Sequence, residues 1–214
     1  VRVLLFGASG NIGSTITHEL ITRGHHVTGV TRTGNTTTTT GNYTARAGDV
    51  RDARTVAALA EGHDLVVSAI GPRHGGNDDD RDIIVGATAA LISGLRLTDI
   101  TRLVVLGGAG SLLTAPGVRV IDSPHFPEMW KANASAQNEA LEMYRQVSDL
   151  DWTFVSPPKL IEPGERTGAY RKGGDELLTD ANGDSKISIP DFAIGFADEV
   201  ERGSAIRARI SLAY

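Results

Sequence analysis

The sequence predicts one α/β domain built on a doubly wound parallel sheet, and three observations predict it. Short apolar runs of four to six residues alternate with segments of helical period along most of the chain. Turn residues stand at the ends of those runs, and the 25 glycines among 214 residues are placed as punctuation with no internal repeat. Apolar strands of that length, separated by helices, need a sheet covered on both faces, which right-handed crossovers supply.

Residues 1–6 form the first strand and end in Gly7-Ala8-Ser9-Gly10, after which Ile12, Ile16 and Leu20 recur at helical spacing. Gly24 closes that helix and residues 27–31 resume as a strand, so the chain opens on a βαβ unit. Thr33-Gly34-Asn35 and the threonines Thr36 to Thr40 read as a loop to which no function is given. Residues 43–47 are a weak third strand, 52–60 a helix with Asp52 as its cap, and 65–70 a strongly apolar fourth strand. A polar loop over 71–80 leads into a helix ending at Leu95, and residues 103–106 are a fifth strand that stops at Gly107-Gly108. From Trp130, apolar positions at Ala134, Leu141, Tyr144 and Val147 mark a long helix, and residues 152–155 complete the core as a sixth strand. Past Pro157-Pro158 the pattern changes to a turn-rich stretch at 162–174, a short alternating piece at 186–189, a helix at 191–201 and a last apolar run at 206–212. Residues 157–214 are therefore expected to add a small substrate-facing lobe to the single domain 1–214.

Composition excludes several classes of function. With 40% hydrophobic and 22% charged residues the chain has the makeup of a folded globular domain, and a formal charge of −5 offers no field for a polyanion, so nucleic acid is not expected as its partner. Having no cysteine, it can form no disulfide, thiolate metal site or cysteine nucleophile, which favours a reducing compartment. The six histidines show no metal-ligand spacing, and no metal is expected. The longest apolar stretch, residues 83–92, is broken by Gly86 and Thr88 and is too short to span a bilayer. The first strand begins at Val1 with no charged leader before it, so the expected location is the cytoplasm.

Gly7-Ala8-Ser9-Gly10-Asn11-Ile12-Gly13 spells Gly-x-x-Gly-x-x-Gly between a strand and a helix. Gly7 suits the tight turn, Gly10 a close approach to a phosphate at the positive helix end, and Gly13 the packing of helix on strand. The second strand ends Val30-Thr31-Arg32, with no acid until Asp49. A guanidinium there can hold a ribose 2′-phosphate that a carboxylate would repel, which favours NADPH while leaving NADH open; the plain alternative is a solvated surface arginine. Asp49 and Val50 have two readings, one in which they hold an adenine and one in which Asp49 caps the next helix. Ala69-Ile70-Gly71-Pro72 ends the fourth strand, where backbone approaches ribose and nicotinamide in such sheets. Ser111, after Gly107-Gly108-Ala109-Gly110, either faces the nicotinamide as the polar catalytic candidate or bonds its own loop. His125 is a generic acid candidate, and Asp78-Asp79-Asp80 read as a solvated loop and helix start.

These motifs, with Asp151-Trp152-Thr153-Phe154-Val155-Ser156-Pro157, Glu162-Pro163-Gly164-Glu165-Arg166-Thr167-Gly168 and Ile187-Ser188-Ile189-Pro190-Asp191-Phe192-Ala193, resemble the atypical short-chain dehydrogenase/reductases. The resemblance covers nearly the whole chain and is nearest to NADH-flavin-reductase-like and biliverdin-IX-beta-reductase-like proteins, with NmrA-like proteins beside them. It implies a Rossmann fold whose cofactor lies across Gly10, Asn11, Ile12, Arg32, Asp49, Val50, Gly71, Ser111 and Pro157, with Gly108 at the nicotinamide end. One departure is chemical: none of Tyr43, Tyr144, Tyr170 and Tyr214 has a lysine four positions on, so the Tyr-x-x-x-Lys acid of carbonyl reductases is missing. A delocalised acceptor such as a flavin, a quinone-like ring or a tetrapyrrole asks less of the protein, and Leu112, Phe126, Trp130, Pro158 and Tyr170 are the expected walls of its pocket, or else ordinary packing. The function expected is NADPH-dependent hydride transfer to such an acceptor, with flavin as a dissociable small-molecule substrate. The alternatives are an NmrA-like redox sensor without turnover and, third, a sugar epimerase.

Overall fold

The computed structural model describes residues 1–34, 41–71 and 79–214. The threonine run, Pro72, His74 and Asp78 lie outside the described residues. Strands and helices alternate as β1 (Arg2–Phe6), α1 (Asn11–Thr22), β2 (His26–Thr31), β3 (Tyr43–Ala47), α2 (Ala53–Ala60), β4 (Leu65–Ser68), α3 (Asp79–Leu95) and β5 (Arg102–Leu106). A hairpin the sequence did not signal follows, β6 (Leu113–Ala115) with β7 (Val118–Arg119). Then come α4 (Glu128–Arg145), β8 (Asp151–Ser156), β9 (Leu160–Glu162), β10 (Arg171–Gly173), β11 (Lys186–Ser188), α5 (Ile189–Arg202) and β12 (Ala208–Ala213).

Eight strands form the central sheet in the order β10-β12-β8-β5-β4-β1-β2-β3. Every neighbouring pair is parallel except β10 with β12 at the edge. The order reverses between β1 and β4, because the chain winds outward from β1 to β3 and then returns to the other side. Such a switch leaves a crevice at the carboxyl ends of those two strands. This is the doubly wound sheet the alternation predicts, and its core has two layers. Val3, Leu5, Val67, Val104, Val155 and Leu212 pack with Ile16, Leu20, Phe192 and Phe196 of α1 and α5, while Leu4, Phe6, Val66, Val105, Trp152 and Phe154 pack with residues of α2, α3 and α4.

Residues 157–214, expected as a lobe, divide. β12 enters the main sheet beside β8, Ala208↔Thr153 to Ser211↔Ser156, and α5 packs on α1 in the core. The physical reason is that Ile210, Leu212 and Ala213 are all buried, and a strand this apolar needs both faces covered. Only the short β9–β11 pair and its connections stay outside the main sheet. Charges tie α5 to α1: Arg23 Nη1 donates to Asp198 and Glu201 at 2.7 Å each, and its Nε to Glu19 at 2.9 Å. Tyr170 belongs to this seam and corrects the expectation that it walls a substrate pocket. Its hydroxyl donates to Asp198 Oδ2 at 2.6 Å, and burial, followed by that carboxylate, pushes it up to about 12.

Candidate nucleotide-binding cleft

At the switch point the glycine spacing has a steric meaning. Gly7 turns the chain at φ +85°, and a Cβ there would stand 2.5 Å from the Ala69 carbonyl oxygen. A Cβ on Gly13 would stand 2.1 Å from the Gly7 carbonyl oxygen, so α1 sits on the turn as closely as backbone allows. Gly10 is the N-cap of α1 and supplies no side-chain acceptor. The amides of Asn11, Ile12 and Gly13 therefore begin the helix without intrahelical partners, at its positive end. Ser9, Gly10 and Asn11 are exposed, which leaves that end open to an anion.

Beside this turn lies a cleft of about 160 Å³. Gly7, Ser9, Arg32, Asp49, Val50, Ile70 and Gly71, all expected from the sequence, line it together with Phe6, Thr31, Arg51 and Ile83. Val50 is buried in its wall, and Ala69 lies under the turn at 7% exposure. The sequence reading missed Arg51. Its guanidinium holds Asp49 in a two-pronged pair, Nε–Oδ1 at 3.1 Å and Nη2–Oδ2 at 2.9 Å, and its backbone N–H donates to Asp49 Oδ1 at 2.9 Å. The Arg51 side chain, and then its backbone N–H, hold the Asp49 carboxyl below the usual carboxylate range, while Asp49 raises Arg51 in return.

Asp49 is thus paired with Arg51 and is not a helix cap, which corrects the second of its readings. Asp52 caps α2, accepting from Arg54 N at 3.1 Å and Thr55 Oγ1 at 2.7 Å. The signal for Arg51 was parallel pairing: Thr31↔Ala47 and the Gly48 N to Thr31 O bond bring residues after β3 beside those after β2. Two guanidiniums, Arg32 and Arg51, therefore face one cleft.

The other expected residues lie elsewhere. Gly108 packs on Gln137 of α4, where a Cβ would meet Gln137 Cβ at 2.9 Å. Pro157 and Pro158 are buried just past β8. Leu112 is fully buried, so it is loop core and not a pocket wall. Phe126 is half-buried, Trp130 is 53% exposed at the start of α4, and His125 is exposed in the loop before it. Ser111 does not bond its own loop: its Oγ accepts from Arg209 Nη1 at 2.8 Å, turned toward β12. Arg209 is itself buried and also donates Nε to Asp175 at 2.7 Å. Among the described residues no group of His, Asp and Glu is placed to hold a metal ion, and no helix is long and apolar enough to cross a membrane.

Similarity to known proteins agrees with this geometry. The NAD(P)H-binding family matches residues 7–199. YwnB of Bacillus subtilis strain 168, an uncharacterised protein, is 38% identical over 204 residues, covering 94% of this chain and 92% of its own. Among solved structures, a Burkholderia pseudomallei protein provisionally named as exported is 43% identical with a TM-score of 0.91 over the whole of both chains. A Streptococcus pneumoniae protein provisionally named an NADH-flavin reductase is 32% identical, with a TM-score of 0.86 over 99% of this chain and 98% of that one. A Bacteroides thetaiotaomicron protein provisionally named an epimerase is also 32% identical, with a TM-score of 0.91 over 100% and 96%. With a glycine turn, an uncapped helix start and a cleft at the switch point all present, the chain belongs to the NAD(P)H-binding family, among the atypical short-chain dehydrogenase/reductases and their NmrA-like relatives.

Proposed function

We propose that this chain is an NADPH-dependent oxidoreductase that passes hydride to a planar, delocalised acceptor, a flavin before a quinone-like ring or a tetrapyrrole. The observation that carries the reading is the pairing of an uncapped α1 start with two guanidiniums around one cleft. The amides of Asn11, Ile12 and Gly13 take the pyrophosphate, and Arg32 and Arg51 take the ribose 2′-phosphate by charge-assisted bonds. Arg51 reaches that phosphate by giving up Asp49, which then faces away from the anion it would repel. Val50 and Ile83 offer apolar walls to the adenine. The bound dinucleotide supplies the hydride, and the protein positions the acceptor and excludes water.

Because no tyrosine is followed by lysine at the required spacing, the chain lacks the usual acid for a carbonyl, and an acceptor that spreads its own charge suits it best. The Streptococcus relative supports a flavin. The Bacteroides relative points to an epimerase, a chemistry that leans on the missing tyrosine. Reduced dinucleotide is drawn from the cytoplasm, where we place the reaction; the Burkholderia relative provisionally named as exported makes cell fractionation the check on that point.

Purified protein with NADPH and FMN, riboflavin or biliverdin should consume nicotinamide absorbance only when an acceptor is present, and faster than with NADH. Tight NADPH binding with no turnover on any acceptor would select the sensor reading, and no binding of either dinucleotide would overturn both.

A further inference from the structure

Five buried side-chain polar atoms among the described residues have no hydrogen-bond partner, and four of them, Asn133 Nδ2, Asn138 Oδ1, Tyr144 Oη and Ser156 Oγ, belong to α4 or to the end of β8 beside it. Buried amides are nearly always paired, so a group of unpaired ones marks a place where a ligand or water completes the set. Gln137 stands in the same place. It is 5% exposed, lies against Gly108, and its side chain makes no hydrogen bond to another described residue.

Asn133 and Gln137 are four apart, so they lie one above the other on one side of α4. Their neighbours say which side. Ala136 and Ala140 pack on Ile84 of α3, and Leu141 and Tyr144 pack on the sheet. At 100° per residue Asn133 falls between those two directions, one turn nearer the carboxyl edge of the sheet than Gln137. Gln137 lines a small cavity with Ser68, Ile70 and Leu106, at the ends of β4 and β5, and Ile70 also lines the nucleotide cleft. Gln137 thus continues the cleft toward α4, and Asn133 stands one turn further along the same side of that helix. Trp130, three before Asn133 and 53% exposed, is next on that stripe.

We propose that Asn133 and Gln137 are the specificity residues of the acceptor site, a neutral amide pair that hydrogen-bonds the cyclic-amide edge of a planar acceptor. A carboxamide carries a donor and an acceptor side by side, which matches the adjacent ring C=O and N–H of an isoalloxazine or a bilin lactam. A quinone, having no N–H, can satisfy only half of it. Trp130 offers a ring face for stacking at the mouth. This inference rests on the nucleotide reading of the cleft, and its test separates the two.

The protein is titrated with lumiflavin and with 3-methyllumiflavin, in which the ring N–H is blocked, following flavin fluorescence with and without NADP⁺. Wild type should prefer lumiflavin by about tenfold, the worth of one neutral hydrogen bond. Asn133→Leu and Gln137→Met, both close in volume to the residues replaced, should bind the two flavins alike while keeping wild-type NADP⁺ affinity by calorimetry. Should one variant fail to fold, the other carries the test. Equal binding of both flavins by wild type, or an undiminished preference in a folded variant, would overturn the pair's role. A wild type that discriminates the flavins but binds no NADP⁺ would overturn the cleft's reading and leave the pair standing.

Discussion

The two ends of the crevice are built from opposite materials. The nucleotide end, from β1 to the start of α2, is made of backbone and charge: a glycine turn, an uncapped helix and two guanidiniums with one carboxylate. The other end, from Gly107 to Pro158, where we propose that the acceptor binds, offers carboxamides, a serine held by a buried arginine, and an exposed tryptophan. An anion of fixed shape rewards backbone amides and arginine, which hold it with little rearrangement. A planar neutral acceptor rewards shape and matched hydrogen bonds, and these leave a much fainter mark on a sequence.

Four substitutions would sharpen or break this contrast. The largest effect belongs to Gly13→Val. With a Cβ already 2.1 Å from the Gly7 carbonyl, any side chain must lift α1 from the turn, costing about 1–3 kcal/mol of stability by overpacking. NADPH and NADH should then both weaken by about a hundredfold as the pyrophosphate contacts go, read by calorimetry at a temperature where the variant is folded. A variant that binds normally would mean that the turn is not the anchor.

Next come Arg32→Ala and Arg51→Ala. Each should weaken NADPH by about tenfold to a hundredfold and leave NADH within about twofold, because only the 2′-phosphate distinguishes the two. Equal losses for both dinucleotides would reject the phosphate role, and an effect of Arg32 alone would return Arg51 to being a surface partner of Asp49.

The smallest effect is Ser111→Ala. The hydroxyl is one of the Arg209 guanidinium's hydrogen-bond partners, so its removal should cost about 1 kcal/mol of stability and change turnover by less than about threefold. A loss of turnover beyond tenfold with unchanged melting would make Ser111 a catalytic residue and give that end an acid–base role beyond shape and hydrogen bonding.

Much of the nucleotide end was legible because its logic is local. The glycines at 7, 10 and 13 act within seven residues of chain, and their roles follow from spacing alone. Arg32 was legible as the residue that ends a strand. Arg51 was not, because its place beside Arg32 depends on the parallel register of β2 and β3, a contact between segments about twenty residues apart. Tyr170 shows the opposite failure: an aromatic residue in a turn-rich stretch reads as a pocket wall, yet the carboxylate that claims its hydroxyl stands 28 positions away on α5. Residues 157–214 read as a lobe because turns interrupt them, and only the pairing of β12 with β8 draws their end into the main sheet.

By itself the sequence determined the alternation of strands and helices, the βαβ opening and the glycine turn, since apolar period and glycine placement act over one or two elements. The tertiary structure alone decided which arginine joins Arg32, where Tyr170 and Ser111 spend their hydroxyls, and that Gln137 of α4 lines a cavity at the ends of β4 and β5. Those outcomes depend on packing between distant segments, and a side chain's partner is set by which backbone arrives beside it, something no local spacing encodes.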